Sequence, residues 1–237
     1  MLTSQLLSTV LSLSGLVACT DILFQGGTIV TWNDATQRVD TLPDTSILVS
    51  GNKIVSIFPA SSNSSAPSSN TTIIDAKGKI ITPGFIDTHR HLWQTAFKTI
   101  ASNTTLAEYF SRYGEFTAAG TVYTPEDVYY GQTTGIYESL NAGVTSILDH
   151  AHHTWSVKTS LAGWKASDDS GARVFWCYTF HNLTNGFERA AQYQNYRDIV
   201  DSAEAKDENR PATVGIAYDG ISIDPPSEVR KVTQIAA

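Results

Sequence analysis

Hydrophobic and polar positions alternate over short distances between Asp21 and Thr82, and turn residues interrupt them. Three segments are rich in Ile, Val, Thr and aromatic residues, namely DILFQGGTIVTW, SILVSGNKIVSIF and TTIIDAKGKIIT. Each contains a turn signal, at Gly26-Gly27, Gly51-Asn52 or Lys77-Gly78. Because no helical periodicity competes here, the pattern predicts a small β-rich domain over residues 20–82.

After Pro83 the pattern changes to apolar runs that alternate with helical stretches. The runs are GFIDTH, VTSILDH, ARVFWCYTFH and TVGIAYDG. Before the second run, Thr124 is a predicted N-cap, Pro125 the first helical residue and Gly143 the stop, with Asp127 completing a capping box. A second helix is predicted over GFERAAQYQNYRDIVDSAEA and a third begins at SEVRKVTQIAA. This alternation predicts an α/β domain over residues 83–237 with a parallel sheet of about four βα units.

The histidines lie at or just beyond the C-terminal ends of the predicted strands. They are His89, His91, His150, His152, His153 and His181. Sites in parallel α/β proteins are built at this edge of the sheet, so the distribution predicts a functional site there.

His89 and His91 carry the most specific signal. Side chains at positions i and i+2 of a strand point to the same face, so both imidazoles can reach one ion. Imidazole is a ligand for zinc and for ferrous iron. The alternative is a pair of polar residues at a strand end that are hydrogen-bonded to solvent.

The segment ITPGFIDTHRHLWQT resembles the first-strand signature of the metal-dependent amidohydrolase superfamily, in the branch of cytosine and guanine deaminases and atrazine chlorohydrolase. NAGVTSILDHAH and IIDAKGKIITPG extend the resemblance. It implies a partial (β/α)8 TIM barrel preceded by a small β-sandwich. It also implies hydrolysis of a non-peptide C–N bond, in a cyclic amidine or amide, by a metal-activated water. His89 and His91 would hold the divalent metal, for which zinc is favoured over iron.

The resemblance further implies metal-ligating histidines on strands five and six and an aspartate on strand eight that serves as acid/base. A full barrel takes roughly 250 residues, whereas 154 residues follow Pro83 (237 − 83). The catalytic acid/base is therefore expected beyond Ala237, in a longer enzyme of which this chain is a fragment. The other expectation is a short product that forms a homo-oligomer to close its sheet.

Six further residues are candidates for the substrate pocket because they follow the predicted strands. They are Gln94, His150, His152, His153, His181 and Asp219. The alternative is packing for Gln94, a turn for Asp219, and a polar loop that caps a helix for His150, His152 and His153. For His181 it is a surface position, since glycosylation at Asn182 would place its surroundings in solvent. The partner expected at this pocket is a small molecule, with a nitrogen heterocycle as the candidate class.

The net charge and the cysteine content argue against two kinds of function, nucleic-acid binding and catalysis by a cysteine nucleophile. The 16 basic and 23 acidic residues give a net charge of −7 that is spread without long single-sign runs. This argues against nucleic-acid binding, which usually needs a basic face. Cys177 lies in an apolar run, where a free core thiol is favoured over a nucleophile.

The N-terminus is typical of an exported protein. Leu6 to Ala18 form an apolar and small-residue run, too short to span a bilayer but suited to a signal peptide over residues 1–19. A mature N-terminal element and a lipoprotein box at Cys19 are alternatives. N-x-S/T sequons begin at Asn63, Asn70, Asn103 and Asn182. We therefore expect a secreted glycoprotein.

Three functions remain open at this stage. The first is a secreted metal-dependent amidohydrolase of the deaminase type. The second is a non-catalytic secreted glycoprotein that retains part of the fold, and the third is a heteroaromatic chlorohydrolase.

Overall fold

The computed structural model describes residues 21–62 and 70–236. They form two units that divide between Pro83 and Gly84. The predicted signal peptide, Cys19 and the sequon residue Asn63 lie outside the described residues.

The described residues of the first unit form one mostly antiparallel sheet. Its strands are β1 (Ile22–Asn33), β2 (Arg38–Ser50), β3 (Lys53–Pro59), β4 (Thr72–Asp75) and β5 (Ile80–Ile81). The order is β3-β2-β1-β4, and β5 also pairs with β1. Strands β4 and β5 run parallel to β1, whereas β2 is antiparallel to both of its neighbours.

Two of the three predicted turns in this unit are confirmed, at Gly51-Asn52 and Lys77-Gly78. The turn predicted at Gly26-Gly27 is wrong, because β1 continues through both glycines. A register shift against β2 occurs there, and Gly26 has a φ of 74°. The two glycines therefore form a bulge, which is the other common use of glycine inside a strand.

The second unit alternates strands and helices. The strands are β6 (Phe85–Arg90), β7 (Val144–Ala151), β8 (Arg173–Thr179) and β9 (Thr213–Ala217). The α-helices are α1 (Leu106–Arg112), α2 (Ala119–Val122), α3 (Pro125–Asn141), α4 (Val157–Asp169), α5 (Arg189–Val200), α6 (Ala203–Lys206) and α7 (Pro226–Ala236). Short 3-10 helices span Leu92–Phe97 and Asp219–Ser222.

The four strands of this unit form a parallel sheet in the order β6-β7-β8-β9. Ile147 of β7 and Trp176 of β8 are buried in one cluster with Ile136 of α3, Trp164 of α4 and Ile199 of α5. One face of the sheet is thus covered by helices. Within the described residues, no helix is both long and apolar enough to span a membrane.

The predicted start of α3 is confirmed. Thr124 is the N-cap, Pro125 begins the helix, and the side chains of Thr124 and Asp127 form the reciprocal bonds of a capping box. The single helix predicted over residues 186–205 is wrong. The segment forms two helices, since α5 begins at Arg189 and the helix is interrupted at Ser202. Ser202 has an extended ψ of 155°, and its hydroxyl caps α6. Such a side-chain bond to the backbone competes with continuation of the helix, and the spacing of apolar residues does not reveal it.

Two glycines of α3 let the helix approach the segment that follows His91. A β-carbon on Gly131 would lie 2.4 Å from the carbonyl oxygen of Trp93. A β-carbon on Gly135 would lie 2.6 Å from that of Leu92. Any larger residue must therefore push the 3-10 helix away from α3, and the position of His91 depends on this close approach.

We predict that Gly131→Ala destabilises the protein by about 1–3 kcal/mol, the usual cost of overpacking. Helix propensity alone predicts the opposite effect, a stabilisation of α3 by about 1 kcal/mol. Gly114→Ala is the control, because its β-carbon would have no neighbour nearer than 3.6 Å. Urea unfolding of both variants measures the effect, and a Gly131→Ala variant as stable as the wild type would contradict the close-packing argument.

Candidate metal centre

His89 and His91 lie at the C-terminal end of β6. The β6–β7 register shifts between Asp87 and Arg90, and His91 follows the last residue of the strand. The two imidazole rings nevertheless stay together, with centroids 4.9 Å apart in an edge-to-face arrangement. His89 is exposed and His91 is half-buried.

His150, near the end of β7, joins this pair. One ring nitrogen from each of His89, His91 and His150 lies within 4.8 Å of the others. His91 Nδ1 lies 2.9 Å from the carbonyl oxygen of His150. Because a carbonyl only accepts, Nδ1 carries the proton and Nε2 of His91 has the free lone pair. Three imidazoles, of which His91 has a fixed tautomer, suit a divalent metal such as zinc.

Asp149 holds the segment that carries His91. Its carboxylate is fully buried and accepts hydrogen bonds from the backbone N–H of Leu92, at 2.9 Å, and from the Gln132 side chain, at 2.6 Å. Burial raises the pKa of Asp149 to about 7, against the lowering effect of these bonds and of the Arg90 charge. The residue links β7, the 3-10 helix and α3 in one network.

A second polar group lies next to the three histidines. His152 is buried and its ring centroid is 4.1 Å from that of His91. Trp93 Nε1 donates to His152 Nδ1 at 3.1 Å, so the proton of the neutral ring lies on Nε2. That nitrogen is 3.5 Å from Glu115 Oε2. Burial lowers the pKa of His152 well below its usual value.

His181 reaches the same carboxyl group from β8. The Thr154 hydroxyl donates to the carbonyl of Thr179 at 2.6 Å, so His181 Nε2 must donate to Thr154 Oγ1 at 3.0 Å. His181 Nδ1 therefore presents a lone pair to Glu115 Oε1, at 3.9 Å. Burial first, and then the Arg189 charge, lower the pKa of His181 to about 3. The ring is neutral at physiological pH.

No sequence pattern points to Glu115 as a functional residue. It lies in the loop between α1 and α2 and belongs to no motif. Burial and, second to it, the charge of Asp219 together raise the pKa of Glu115 to about 7. A protonated Glu115 can accept from His152 and donate toward His181. Only the folded loop brings these groups together.

An open groove of about 560 Å³ lies beside His89 and His91. Its lining includes His89, His91, Gln94, Tyr109, Tyr113 and Phe97. Gln94 Nε2 donates to the Tyr109 hydroxyl at 2.8 Å, which places the side chain of this predicted pocket residue in the groove wall. Trp93, in contrast, is fully buried and packs against Phe97 and Trp155.

The remaining candidates separate into two kinds. Asp219 is exposed, and its carboxylate lies 3.0 Å from His150 Nε2, so it belongs to the cluster. His153 is fully buried, and its ring packs on α4, where a β-carbon on Gly163 would lie 1.8 Å from Nε2. His153 therefore does not face the groove. Cys177 is a buried free thiol whose pKa burial raises to about 11, so it is a poor nucleophile.

Comparison with known proteins gives relatives along most of the chain. A sequence profile of the amidohydrolase family matches residues 80–236. A 5'-deoxyadenosine deaminase from Methanococcoides burtonii is 25% identical over 190 residues, which cover 80% of this chain and 40% of that protein. A 5-methylthioadenosine/S-adenosylhomocysteine deaminase from Symbiobacterium thermophilum is 31% identical over 129 residues, with coverages of 54% and 28%. The chain thus spans less than half the length of these curated relatives.

Solved structures share the fold. An atrazine chlorohydrolase from Arthrobacter aurescens, complexed with zinc, aligns with a TM-score of 0.67 at 21% identity, over 91% of this chain and 50% of that chain. A guanine deaminase from C. acetobutylicum aligns with a TM-score of 0.64 at 18% identity, over 84% and 46%. At these identities the likeness shows the fold alone. The predicted α/β class and partial barrel are confirmed.

We predict that Glu115 makes the metal-free protein less stable as pH rises. Its pKa is about 7 in the folded state against 4.5 for an unperturbed glutamate, so the folded protein binds the extra proton between these limits. The free energy of unfolding should fall through this window. In Glu115→Gln the fall between pH 5 and pH 8 should be smaller.

The measurement is urea unfolding across this pH range with a chelator present. Glu126→Gln, in the exposed first turn of α3, is the control and should keep the wild-type pH slope. Equal slopes for the wild type and Glu115→Gln would show that Glu115 is ionised in the folded protein at pH 5.

Proposed function

The chain belongs to the amidohydrolase family, and we propose that its protein is a metal-dependent deaminase that releases ammonia from an amino-substituted nitrogen heterocycle. In this reaction the oxygen of water replaces the amino group on a ring carbon, and ammonia leaves. The observation that carries the proposal is the cluster of imidazole nitrogens at the C-terminal edge of the parallel sheet. This edge is where parallel barrels place their chemistry.

His89 and His91 would hold the metal. Zinc is favoured over iron because neutral imidazoles are good zinc ligands, and the related atrazine chlorohydrolase structure contains zinc. When bound, a divalent metal supplies a Lewis acid that lowers the pKa of water toward neutrality. The described residues contribute a fixed tautomer at His91 through the His150 carbonyl and a fixed backbone at Leu92 through Asp149.

The groove suits a flat, polar ring. Tyr109, Tyr113 and Phe97 supply aromatic surface, and the Gln94 amide supplies hydrogen-bonding groups for ring nitrogens or exocyclic groups. The curated relatives act on 5'-deoxyadenosine and on 5-methylthioadenosine or S-adenosylhomocysteine, which all contain an aminopurine. We therefore propose an aminopurine base or nucleoside as substrate class.

We predict that the zinc-loaded protein carrying this sequence releases ammonia from at least one of 5'-deoxyadenosine, 5'-methylthioadenosine and guanine. His91→Asn should lower kcat/KM at least about 100-fold, the scale of losing a group on which the transition state depends. Asn103→Gln, at an exposed loop position, is the control and should keep wild-type kinetics.

Ammonia is measured directly, and a parallel assay measures chloride released from a chlorinated triazine. Chloride release without ammonia would replace the deaminase proposal with the chlorohydrolase alternative. If neither product forms with zinc bound, the non-catalytic alternative is favoured.

We also propose that the protein is exported and glycosylated. The apolar segment Leu6 to Ala18 supports a signal peptide, and the sequon residues Asn70, Asn103 and Asn182 are all exposed. Asn182 is the most constrained of them, because its amide donates to Asp224 and its oxygen accepts from Arg189.

We predict that enzymatic removal of N-glycans lowers the mass of the protein purified from its natural source. Asn70→Gln and Asn103→Gln should each reduce this loss, whereas Asn182→Gln should change it least because its side chain is already engaged. A protein whose mass is unchanged by the glycosidase, and whose N-terminus begins at Met1, would contradict export through this segment.

A further inference from the structure

We propose that His150 is a third metal ligand, supplied by β7 and oriented by Asp219. The sequence had placed His150 in the substrate pocket. The proposal deepens the metal-dependent function proposed above, although it concerns metal affinity and not turnover.

The first support is the position of the ring. His150 brings a ring nitrogen within 4.8 Å of nitrogens from both His89 and His91. Its ring centroid is 5.1 Å from that of His91 and 5.5 Å from that of His89. Nitrogens of a tetrahedral zinc site lie about 3.3 Å apart, given Zn–N bonds of about 2.0–2.1 Å. Small side-chain rotations would therefore suffice to close the triangle.

The second support is the hydrogen bonding of His150. Nε2 lies 3.0 Å from a carboxylate oxygen of Asp219, which can only accept, so Nε2 carries the proton of the neutral ring. Nδ1 is then the nitrogen with a lone pair. It is buried and has no hydrogen-bond partner among the described residues. A buried acceptor without a partner costs free energy unless a ligand satisfies it.

The third support is that the hydrogen bonds of His150 and His91 follow a pattern that is common in metal sites. Metal-ligating histidines usually donate their other N–H to a carboxylate or a backbone carbonyl, which fixes the tautomer. His150 donates to the carboxylate of Asp219, and His91 donates to the carbonyl of His150 itself. His150 thus links the two rings, because its own ring would bind the metal while its backbone carbonyl accepts the hydrogen bond from His91.

The other rim histidines lack this combination. Both nitrogens of His181 already face Thr154 and Glu115. His152 accepts from Trp93 on one nitrogen and faces Glu115 with the other. His153 has two unpartnered nitrogens but packs on α4. Of the four histidines at the C-terminal ends of β7 and β8, His150 is the one oriented to join His89 and His91.

The test measures zinc affinity by competition with a chromophoric chelator, together with the visible spectrum of the cobalt-substituted protein. His150→Gln should weaken zinc binding at least about 100-fold and reduce the intensity of the cobalt bands. Asp219→Asn should weaken it about 10-fold, the lower end of the usual effect of an orienting partner. His181→Gln is the matched control, since His181 is also buried but lies outside the cluster, and it should keep wild-type affinity.

Wild-type affinity in His150→Gln would overturn the proposal, and so would equal losses in His150→Gln and His181→Gln, which would indicate a general disturbance. Circular dichroism identifies a variant that fails to fold. Asp219→Asn then carries the test, because its side chain is exposed and the substitution should not unfold the protein; unchanged affinity there counts against the assignment. Since no substrate is present, the result stands apart from whether the protein is a deaminase.

Discussion

The hydrogen bond between the buried carboxylate of Asp149 and the backbone N–H of Leu92 is the constraint on which the site depends. It joins the chain one residue after His91 to the strand that carries His150. Without it, the 3-10 helix after β6 would be held chiefly by its packing against the glycines of α3. The position of His91 relative to His150 is therefore constrained by a polar contact that lies behind them, on the helix side of the sheet.

This constraint has an electrostatic cost. Burial raises the pKa of Asp149 to about 7, and Gln132 and Leu92 supply the donors that keep the group satisfied. The imidazoles nearby are subject to the same burial, which lowers the pKa values of His152 and His181 and keeps both rings neutral. Neutral imidazoles can act as ligands or hydrogen-bond acceptors, whereas charged ones cannot. Burial thus keeps the rings of His152 and His181 as neutral neighbours of Glu115.

Much of the fold could be predicted because its signals are local. Capping residues fixed the start of α3, and apolar runs located all four strands of the parallel sheet. The pairing of His89 with His91 followed from their spacing and from the resemblance of the segment around them. The approach of His150 could not be predicted, because it depends on the register of β6 against β7, which shifts between Asp87 and Arg90. Glu115 could not be predicted either, since its role arises from the fold of a loop without a sequence motif.

The register of β7 against β8 also explains why the site residues lie next to a layer of apolar side chains. Along β7, Ile147 and Asp149 are buried toward the helices, while Leu148 points to the opposite face. Leu148 is paired with Phe175 of β8. Two residues further along β7, toward the C-terminal edge of the sheet, His150 is paired with Cys177. A slip of one residue would exchange the two faces, burying Leu148 against the helices and removing both Asp149 and His150 from their partners. The apolar residues that specify the register therefore also specify the site.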